Sequence, residues 1–205
     1  MDPVGGLHER YVAGRRVGVL SRHLAELLPP GARVLDVGCG DGRVDRAVRE
    51  RRPDVTVDGV DVLVRPATHI PVRAFDGLRL PAGDASYDVV LFVDVLHHAS
   101  DPRRLLVDAA RVARRGVLVK DHFREGFLAG PVLRLMDWVG NARHGVSLRG
   151  EYWAPDQWRT AFGEAGLVPT QLRRRLGLYP WPADLLFERR LHFVAYLEPA
   201  KAPPG

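Results

Sequence analysis

Short apolar runs alternate along this chain with stretches whose apolar residues recur at helical spacing. The runs that predict buried strands are RVLDV, VTVDGVDV, IPVRAF, YDVVLFVDV, GVLVKD, LVPTQLRRRL and RLHFVAYLE. Between them, residues such as Val17, Leu20, Leu24 and Leu27 recur every three or four positions, which predicts amphipathic helices. Strands that alternate with helices in this way indicate a doubly wound α/β sheet whose strands are mostly parallel.

Turn and cap residues predict where the helices end. The segment SDPRRLLVDAARVARRG predicts a helix that Ser100 or Asp101 caps, with Pro102 in its first turn and Gly116 at its end. Only GLYPWPADLLFE separates the last two strands, too little for a packed crossover helix. The final strand is therefore predicted to be antiparallel.

Length and composition favour one globular domain over residues 1–205. We predict an N-terminal helical segment (1–30), an insertion that forms a lid (121–154) and a disordered tail (199–205). Cys39 is the one cysteine, which excludes an internal disulfide and a thiol cluster for zinc. No apolar run is long enough for a membrane span and no signal segment is visible, so we expect a cytoplasmic protein.

The net charge of +5 gives little guidance about partners. Lysine occurs only at Lys120 and Lys201, so 28 of the 30 basic residues are arginines. These arginines are scattered along the chain rather than clustered, and we therefore expect no nucleic-acid partner from charge. We expect a monomer or a homodimer.

The clearest chemical signal is a glycine-rich turn directly after the first strand. In VLDVGCGDGR, the order Gly38-Cys39-Gly40-Asp41-Gly42 lets a ligand approach the backbone. Arg43 stands where a dinucleotide fingerprint has its third glycine, so a nicotinamide cofactor is disfavoured. The acids Asp36 and Asp41 beside the loop disfavour a pyrophosphate and favour a ligand with positive charge.

Two further acids follow the second and third strands. Asp61 lies 21 residues after Gly40 and is placed to accept both hydroxyls of a ribose. Asp76 is placed to reach an adenine amino group. Together with the glycine loop, these acids predict a nucleoside ligand that carries positive charge and no phosphate.

The order VLDVGCGDGR, VDGVDV, FDGLRLPAGDASYDVVLFVDVLHHASDPRRLL and RVARRGVLVKDH resembles the class I S-adenosylmethionine-dependent methyltransferases, in particular the small UbiE-like group, over roughly residues 15–122. The resemblance implies a Rossmann-like sheet of seven strands with a reversed last strand, helices on both faces, and S-adenosylmethionine as cofactor, with S-adenosylhomocysteine as product. It implies a cofactor site made of Asp36, Gly38, Cys39, Gly40, Asp61, Val62, Asp76, Gly77 and the backbone of Asp94.

The rest of the chain supplies candidate groups for the methyl acceptor. Methyl transfer needs positioning, and an oxygen or carbon acceptor also needs a base, for which we predict His122 and then His144. Alternation along the strand predicts that Asp121 and His122 point apart, with one of them toward the cleft. The predicted substrate residues are His98, Asn141, Arg143, Tyr152 and Trp153. Apolar residues in the insertion predict a small, apolar or aromatic acceptor, whose reacting atom the sequence leaves open.

Three alternatives were weighed against this prediction. Asp94, Asp121 and Asn141 resemble the magnesium ligands of catechol-type O-methyltransferases, but His122 stands where that pattern has its asparagine, so we expect no metal. An RNA-directed methyltransferase is a rival enzyme, although VDVLHH replaces the Asn/Asp-Pro-Pro-aromatic step of amino-directed enzymes. The alternative that is not an enzyme is a cofactor-binding partner subunit without catalytic activity.

Overall fold

The computed structural model describes residues 3–141, 151–188 and 190–200, with side chains described for 14–136, 151–188 and 190–200. The strands are β1 (Arg33–Val37), β2 (Thr56–Asp61), β3 (Val72–Ala74), β4 (Tyr87–Val93), β5 (Ala113–His122), β6 (Leu167–Arg173) and β7 (His192–Pro199). The helices are α1 (Pro3–Leu27), α2 (Arg43–Arg51), α3 (Pro102–Val112), α4 (Ala129–Asn141), α5 (Pro155–Glu164) and α6 (Asp184–Phe187), and a short 3-10 helix spans Leu96–His98.

The strands form one mixed sheet in the order β3-β2-β1-β4-β5-β7-β6. The pairs from β3 to β5 are parallel, and β7 runs antiparallel to both β5 and β6. This confirms the predicted seven-stranded sheet with a reversed last strand. The strand order reverses between β1 and β4, where ligands of such sheets bind.

The strand register brings the carboxyl ends of the parallel strands to one edge. Val37 pairs with both Val60 and Phe92, and Val93 pairs with Lys120. His192, the first residue of antiparallel β7, pairs with His122 at the end of β5. The chain segments that follow β1, β2, β4 and β5 therefore all meet at this edge, called the carboxyl edge below.

Apolar residues fill both faces of the sheet, as the alternation along the strands requires. On one face α1 and α2 contribute Leu20, Leu24 and Val48. On the other face α3 and α5 contribute Leu106 and Trp158. Each of these side chains is at most 2% exposed, and burying one of this size contributes about 1.5–3 kcal/mol.

The predicted helix end at Gly116 is wrong. Asp101 caps α3 by accepting from the Arg104 N–H at 3.0 Å, as predicted, but the helix ends at Val112. Gly116 lies within β5, where an added Cβ would be 2.4 Å from the Leu197 carbonyl oxygen. The close approach of β7, rather than a helix cap, therefore requires glycine at this position.

The predicted lid and tail lie only in part among the described residues. Pro199 is the last residue of β7 and the Ala200 N–H donates to the Gly166 carbonyl at 2.8 Å, so the first two residues of the predicted disordered tail (199–205) are ordered. Residues 201–205 lie outside the described residues, and so do residues 142–150 of the predicted lid. Among the described residues, no helix has both the length and the apolar character needed to cross a membrane.

Candidate active site

The glycine loop after β1 is built from residues in left-handed backbone conformations. Gly38 and Gly40 have φ angles of 74° and 60°, and the Gly38 N–H donates to the Val60 carbonyl at 2.7 Å. A Cβ on Gly38 would lie 2.5 Å from a methyl group of Val95. Both the conformation and the contact with Val95 therefore exclude a side chain at residue 38.

Asp61, at the end of β2, is tied to this loop. Its carboxylate accepts the Gly40 N–H at 2.8 Å and the Leu63 N–H at 2.9 Å. Because the two bonds use different carboxylate oxygens, the side chain holds the glycine loop against the segment after β2. The next residue, Val62, is 65% exposed.

Asp76 occupies the corresponding place after β3. One of its oxygens accepts the N–H groups of Leu78 and Arg79, at 2.8 and 2.9 Å. These backbone hydrogen bonds lower the pKa of Asp76 below its usual value. Gly77 turns the chain with a φ angle of 79°. The acid is exposed at the carboxyl edge, and its contact with an adenine stays a prediction.

Beneath the loop lies a buried pair of acids, Asp36 on β1 and Asp45 on α2, which we call the acid pair. They are 2% and 1% exposed. Burial and the neighbouring Asp45 raise the pKa of Asp36 well above its usual value, and burial raises the pKa of Asp45 to about 6. Sequence reasoning missed Asp45, although its spacing three residues before Val48 places it on the helix face that packs against the sheet.

Cys39 lies next to this acid pair. It is half-buried, and burial together with Asp36 and Asp45 raises the pKa of its thiol. The thiol is therefore protonated at neutral pH, and Cys39 is not suited to act as a nucleophile.

Further along the carboxyl edge, polar side chains from β4, β5 and β7 form a second group, which we call the polar cluster. It consists of Asp94, His97, Lys120, Asp121, His122 and His192, of which all but Asp94 are at most 4% exposed. Sequence reasoning did not select Lys120 and His192. They meet because β5 pairs with β7, and the Lys120 Nζ lies 3.4 Å from His192 Nδ1.

Asp94 carries the ion pairs of the polar cluster. One carboxylate oxygen accepts from Lys120, the other accepts from Arg16 on α1, and His122 Nε2 lies 3.2 Å from the first. Burial alone would raise the pKa of Asp94, but Lys120 and Arg16 hold it well below its usual value. Asp94 also has a φ angle of 57°, a left-handed conformation uncommon outside glycine.

A short hydrogen bond joins His97 to Asp121. His97 Nδ1 lies 2.7 Å from Asp121 Oδ1, which also accepts the His122 N–H at 2.8 Å. The side chain of His122 contacts Asp94 instead. Asp121 and His122 thus make no side-chain dyad with each other. We predicted that one of them faces an open cleft, but both side chains are buried.

Burial determines the protonation of two histidines in the polar cluster. It lowers the pKa of both His122 and His192 well below the usual value, and the nearby charge of Lys120 lowers it further. Both rings are therefore neutral at neutral pH. His122 Nδ1 is buried and has no hydrogen-bond partner among the described residues.

Of the predicted substrate residues, His98 and Tyr152 lie beside the polar cluster. Their rings are 4.0 and 5.2 Å from that of His97, and the Tyr152 hydroxyl donates to the Leu133 carbonyl at 3.2 Å. Trp153 instead belongs to the core, 5% exposed, with its ring 4.9 Å from that of Trp158. The prediction that Trp153 lines the substrate site is therefore not supported by its position.

The other predicted acceptor residues cannot be placed at the site. Asn141 is the last residue of α4, and its side chain is outside the described set. Arg143 and His144 lie outside the described residues altogether. Their roles as substrate clamp and second candidate base stay predictions.

A groove of about 330 Å³ lies at the opposite end of the strands. Arg33, Asp58 and Tyr87 are among the residues that line it, and the Tyr87 hydroxyl donates to Asp58 at 3.0 Å. Because Arg33 and Tyr87 begin their strands, this groove is far from the glycine loop and the polar cluster.

Comparison with known sequences identifies the family. A family described as a methyltransferase domain matches residues 9–172. An uncharacterized methyltransferase of Mycobacterium tuberculosis strain H37Rv is 32% identical over 145 residues, which cover 66% of this chain and 74% of that protein.

Two relatives have names that state a substrate or a biosynthetic pathway. The 27-O-demethylrifamycin SV methyltransferase of Amycolatopsis mediterranei strain S699 is 35% identical over 113 residues, 47% of this chain and 41% of that protein. A ubiquinone biosynthesis O-methyltransferase of Maricaulis maris strain MCS10 is 28% identical over 153 residues, 67% and 59% of the two chains. The chain thus spans 41% and 59% of the length of these two relatives.

Solved structures with the same fold are more distant in sequence. An S-adenosylmethionine-dependent methyltransferase from Aquifex aeolicus is 17% identical with a TM-score of 0.61, covering 96% of this chain and 98% of that one. A chain from a complex that contains the Haloferax volcanii Trm112 methyltransferase activator is 19% identical with a TM-score of 0.69, covering 90% of both. With the family match over residues 9–172, the chain belongs to the methyltransferase domain family, and it has the fold of the S-adenosylmethionine-dependent methyltransferases.

Proposed function

We propose that this protein transfers the methyl group of S-adenosylmethionine to a small-molecule acceptor. The observation that carries the proposal is the glycine loop held by Asp61 at the point where the strand order reverses. In doubly wound sheets, this is the place where a nucleoside ligand binds. The named relatives act on small molecules, so they do not favour RNA as acceptor or a subunit without catalysis.

The cofactor would lie along the carboxyl edge from the acid pair to Asp76. Its methionine part would contact Asp36, Gly38, Cys39, Gly40 and the backbone of Asp94, its ribose Asp61 and Val62, and its adenine Asp76 and Gly77. The charge of the site supports this placement. Asp36 and Asp45 have no cationic partner among the described contacts, so a sulfonium group nearby would stabilise their ionised form.

The acceptor would bind near the polar cluster and the lid. His98 and Tyr152 lie at the polar cluster, and Phe127, Leu128 and Leu135 expose apolar surface beside or on α4. This surface supports an apolar or aromatic acceptor. His122 remains a candidate base, because its ring is neutral and Nδ1 has no described partner.

The proposal is tested by thermal unfolding with S-adenosylmethionine, S-adenosylhomocysteine and NAD in parallel. A ligand at 100 times its dissociation constant adds about 2.7 kcal/mol, roughly 5–11 °C in a domain of this size. We expect this rise with the first two ligands only. It should largely disappear in Asp61→Ala and persist in Asp156→Ala, which removes an exposed acid on α5.

Each other outcome has a definite meaning. If neither sulfur ligand raises the unfolding temperature of the wild type, the proposed cofactor site is wrong. If NAD alone raises it, the ligand class is wrong. If Asp61→Ala keeps the full rise, the cofactor binds elsewhere and Asp61 only holds the loop.

A further inference from the structure

Three members of the polar cluster are arranged as a set of metal ligands. His97, Asp121 and His122 each offer one ligand atom, and these atoms lie within 4.8 Å of one another. His97 comes from the 3-10 helix after β4, and the other two end β5. All three side chains are buried, so the residues packed around them hold their positions.

Two atoms of this set are buried acceptors without a donor among the described residues. They are Asp121 Oδ2 and His122 Nδ1. The other atoms of both groups are engaged, because Asp121 Oδ1 binds His97 and His122 Nε2 faces Asp94. Leaving such an acceptor unsatisfied costs about 1–3 kcal/mol, and a cation between the two would satisfy both.

The distribution of charge also favours a cation here. Lys120 and Arg16 both make their ion pairs with Asp94. Asp121 makes hydrogen bonds to His97 and to the backbone of His122 instead. Among the described residues, Asp121 therefore forms no ion pair with a lysine or arginine, which leaves its buried carboxylate available for a ligand.

We propose that His97, Asp121 and His122 bind a divalent transition-metal ion, zinc being the best fit. Two imidazole nitrogens and one carboxylate are a typical protein ligand set for a catalytic metal that keeps an open position. Ligand atoms around tetrahedral zinc are about 3.4 Å apart, so this set, whose atoms lie within 4.8 Å of one another, would contract when zinc binds.

The surroundings hold one of these ligands, His122, in place. The Asp94 carboxylate lies 3.2 Å from His122 Nε2, and the Trp158 indole N–H donates to the His122 carbonyl at 2.9 Å. A carboxylate beside one ring nitrogen leaves the other nitrogen to face the metal. Asp94 thereby leaves Nδ1 of His122 as the ligand atom.

The use of the ion rests on the proposed methyltransferase function. The open position would bind a hydroxyl oxygen of the acceptor and lower its pKa, so that its proton is released to solvent. The oxygen then attacks the methyl carbon as the carbon–sulfur bond breaks, and the electron pair stays on sulfur to give S-adenosylhomocysteine. The inference therefore narrows the acceptor to a molecule with a hydroxyl group. It departs from our prediction of no metal, and it replaces the role of His122 as a base with that of a metal ligand.

The test is direct titration of untagged, chelator-treated protein with zinc and, separately, with cobalt. We expect one equivalent of zinc to bind, and cobalt to give the intense visible bands of a tetrahedral site. Asp121→Asn and His122→Gln should each weaken binding by more than the roughly 100-fold that loss of a second-layer partner costs. His69→Gln is the matched control, because His69 is exposed and outside the set.

Two further measurements keep the outcomes separate. X-ray absorption of the wild-type zinc complex should show two imidazole ligands with oxygen, and it does not depend on any variant being folded. Another ligand set, or no stoichiometric zinc in the wild type, would overturn the metal site. S-adenosylhomocysteine binding is measured on the same samples. If the wild type binds zinc but does not bind S-adenosylhomocysteine, the proposed function is overturned and the metal site is not.

Discussion

Two sites at the carboxyl edge hold acids away from water, and their pKa values move in opposite directions. Asp36 and Asp45 form the acid pair under the glycine loop, and burial raises the pKa of both. Asp94 in the polar cluster is penalised by burial too, yet Lys120 and Arg16 hold its pKa well below the usual value. Partners, rather than burial, therefore decide which acids in this protein are ionised.

The difference assigns the two sites different physical roles. Within the polar cluster, Asp94 already has the cations that it needs, so Asp94, Lys120 and Arg16 behave as part of the scaffold beside the proposed metal ligands. The acid pair lacks such a partner among the described residues and is least stable when both acids are ionised. The contribution of the acid pair to the free energy of unfolding should therefore depend on pH and on a cationic ligand. Removal of a cation should instead destabilise the polar cluster.

The largest effect is expected from Lys120→Met. Lys120 is fully buried, and its loss leaves Asp94 with only the partly exposed Arg16 as a charged partner. Breaking a buried ion pair on one side costs about 3–5 kcal/mol. Urea unfolding of the variant and the wild type at neutral pH measures this loss, and a cost below 1 kcal/mol would show that Lys120 is not what holds Asp94.

Asp45→Asn is expected to raise the free energy of unfolding, whereas Lys120→Met lowers it. A neutral amide removes the cost of burying the Asp45 charge and can donate to Asp36. Since the pKa of Asp45 is about 6 in the folded protein against 3.8 in a free side chain, the variant should gain about 3 kcal/mol at pH 8. Asp156→Asn, at an exposed acid, should change the free energy of unfolding by little.

The pH dependence of this gain provides a sharper test. Between about pH 4 and pH 6 the folded protein keeps a proton on Asp45 that the unfolded chain has lost, so wild-type stability falls as pH rises through this window and then levels. The advantage of Asp45→Asn should accordingly be about half as large at pH 5 as at pH 8. An advantage that is equal at both pH values would show that the ionisation of buried Asp45 is not its source.

The two sites also differ in how far the sequence predicts them. The glycine loop, Asp36, Asp61 and Asp76 follow successive strands, so local pattern and strand order place them. The polar cluster depends on register between distant segments: Lys120 and His192 are 72 positions apart and meet only because β5 pairs with β7. Sequence pattern gives strand identity but not this register.

Packing explains positions that the local sequence pattern does not predict. Gly116 has the composition of a helix cap, yet contact with Leu197 determines its identity. Trp153 directly follows Tyr152, but the two side chains belong to different clusters, because one packs with Trp158 and the other with His97. Such facts depend on which surfaces meet, and a single sequence does not state them.

The smallest effect is expected from Arg16→Met, which removes the other cation of Asp94. Arg16 has 38% of its side chain exposed, so water screens its ion pair and already solvates it. Exposed pairs of this kind contribute about 0–1 kcal/mol, and less at high salt. Urea unfolding of Arg16→Met and Lys120→Met at low and high salt compares two cations on one carboxylate. If Arg16→Met lowers the free energy of unfolding as much as Lys120→Met does, Asp94 needs both cations. The polar cluster would then resemble the acid pair more than the charges around Asp94 indicate.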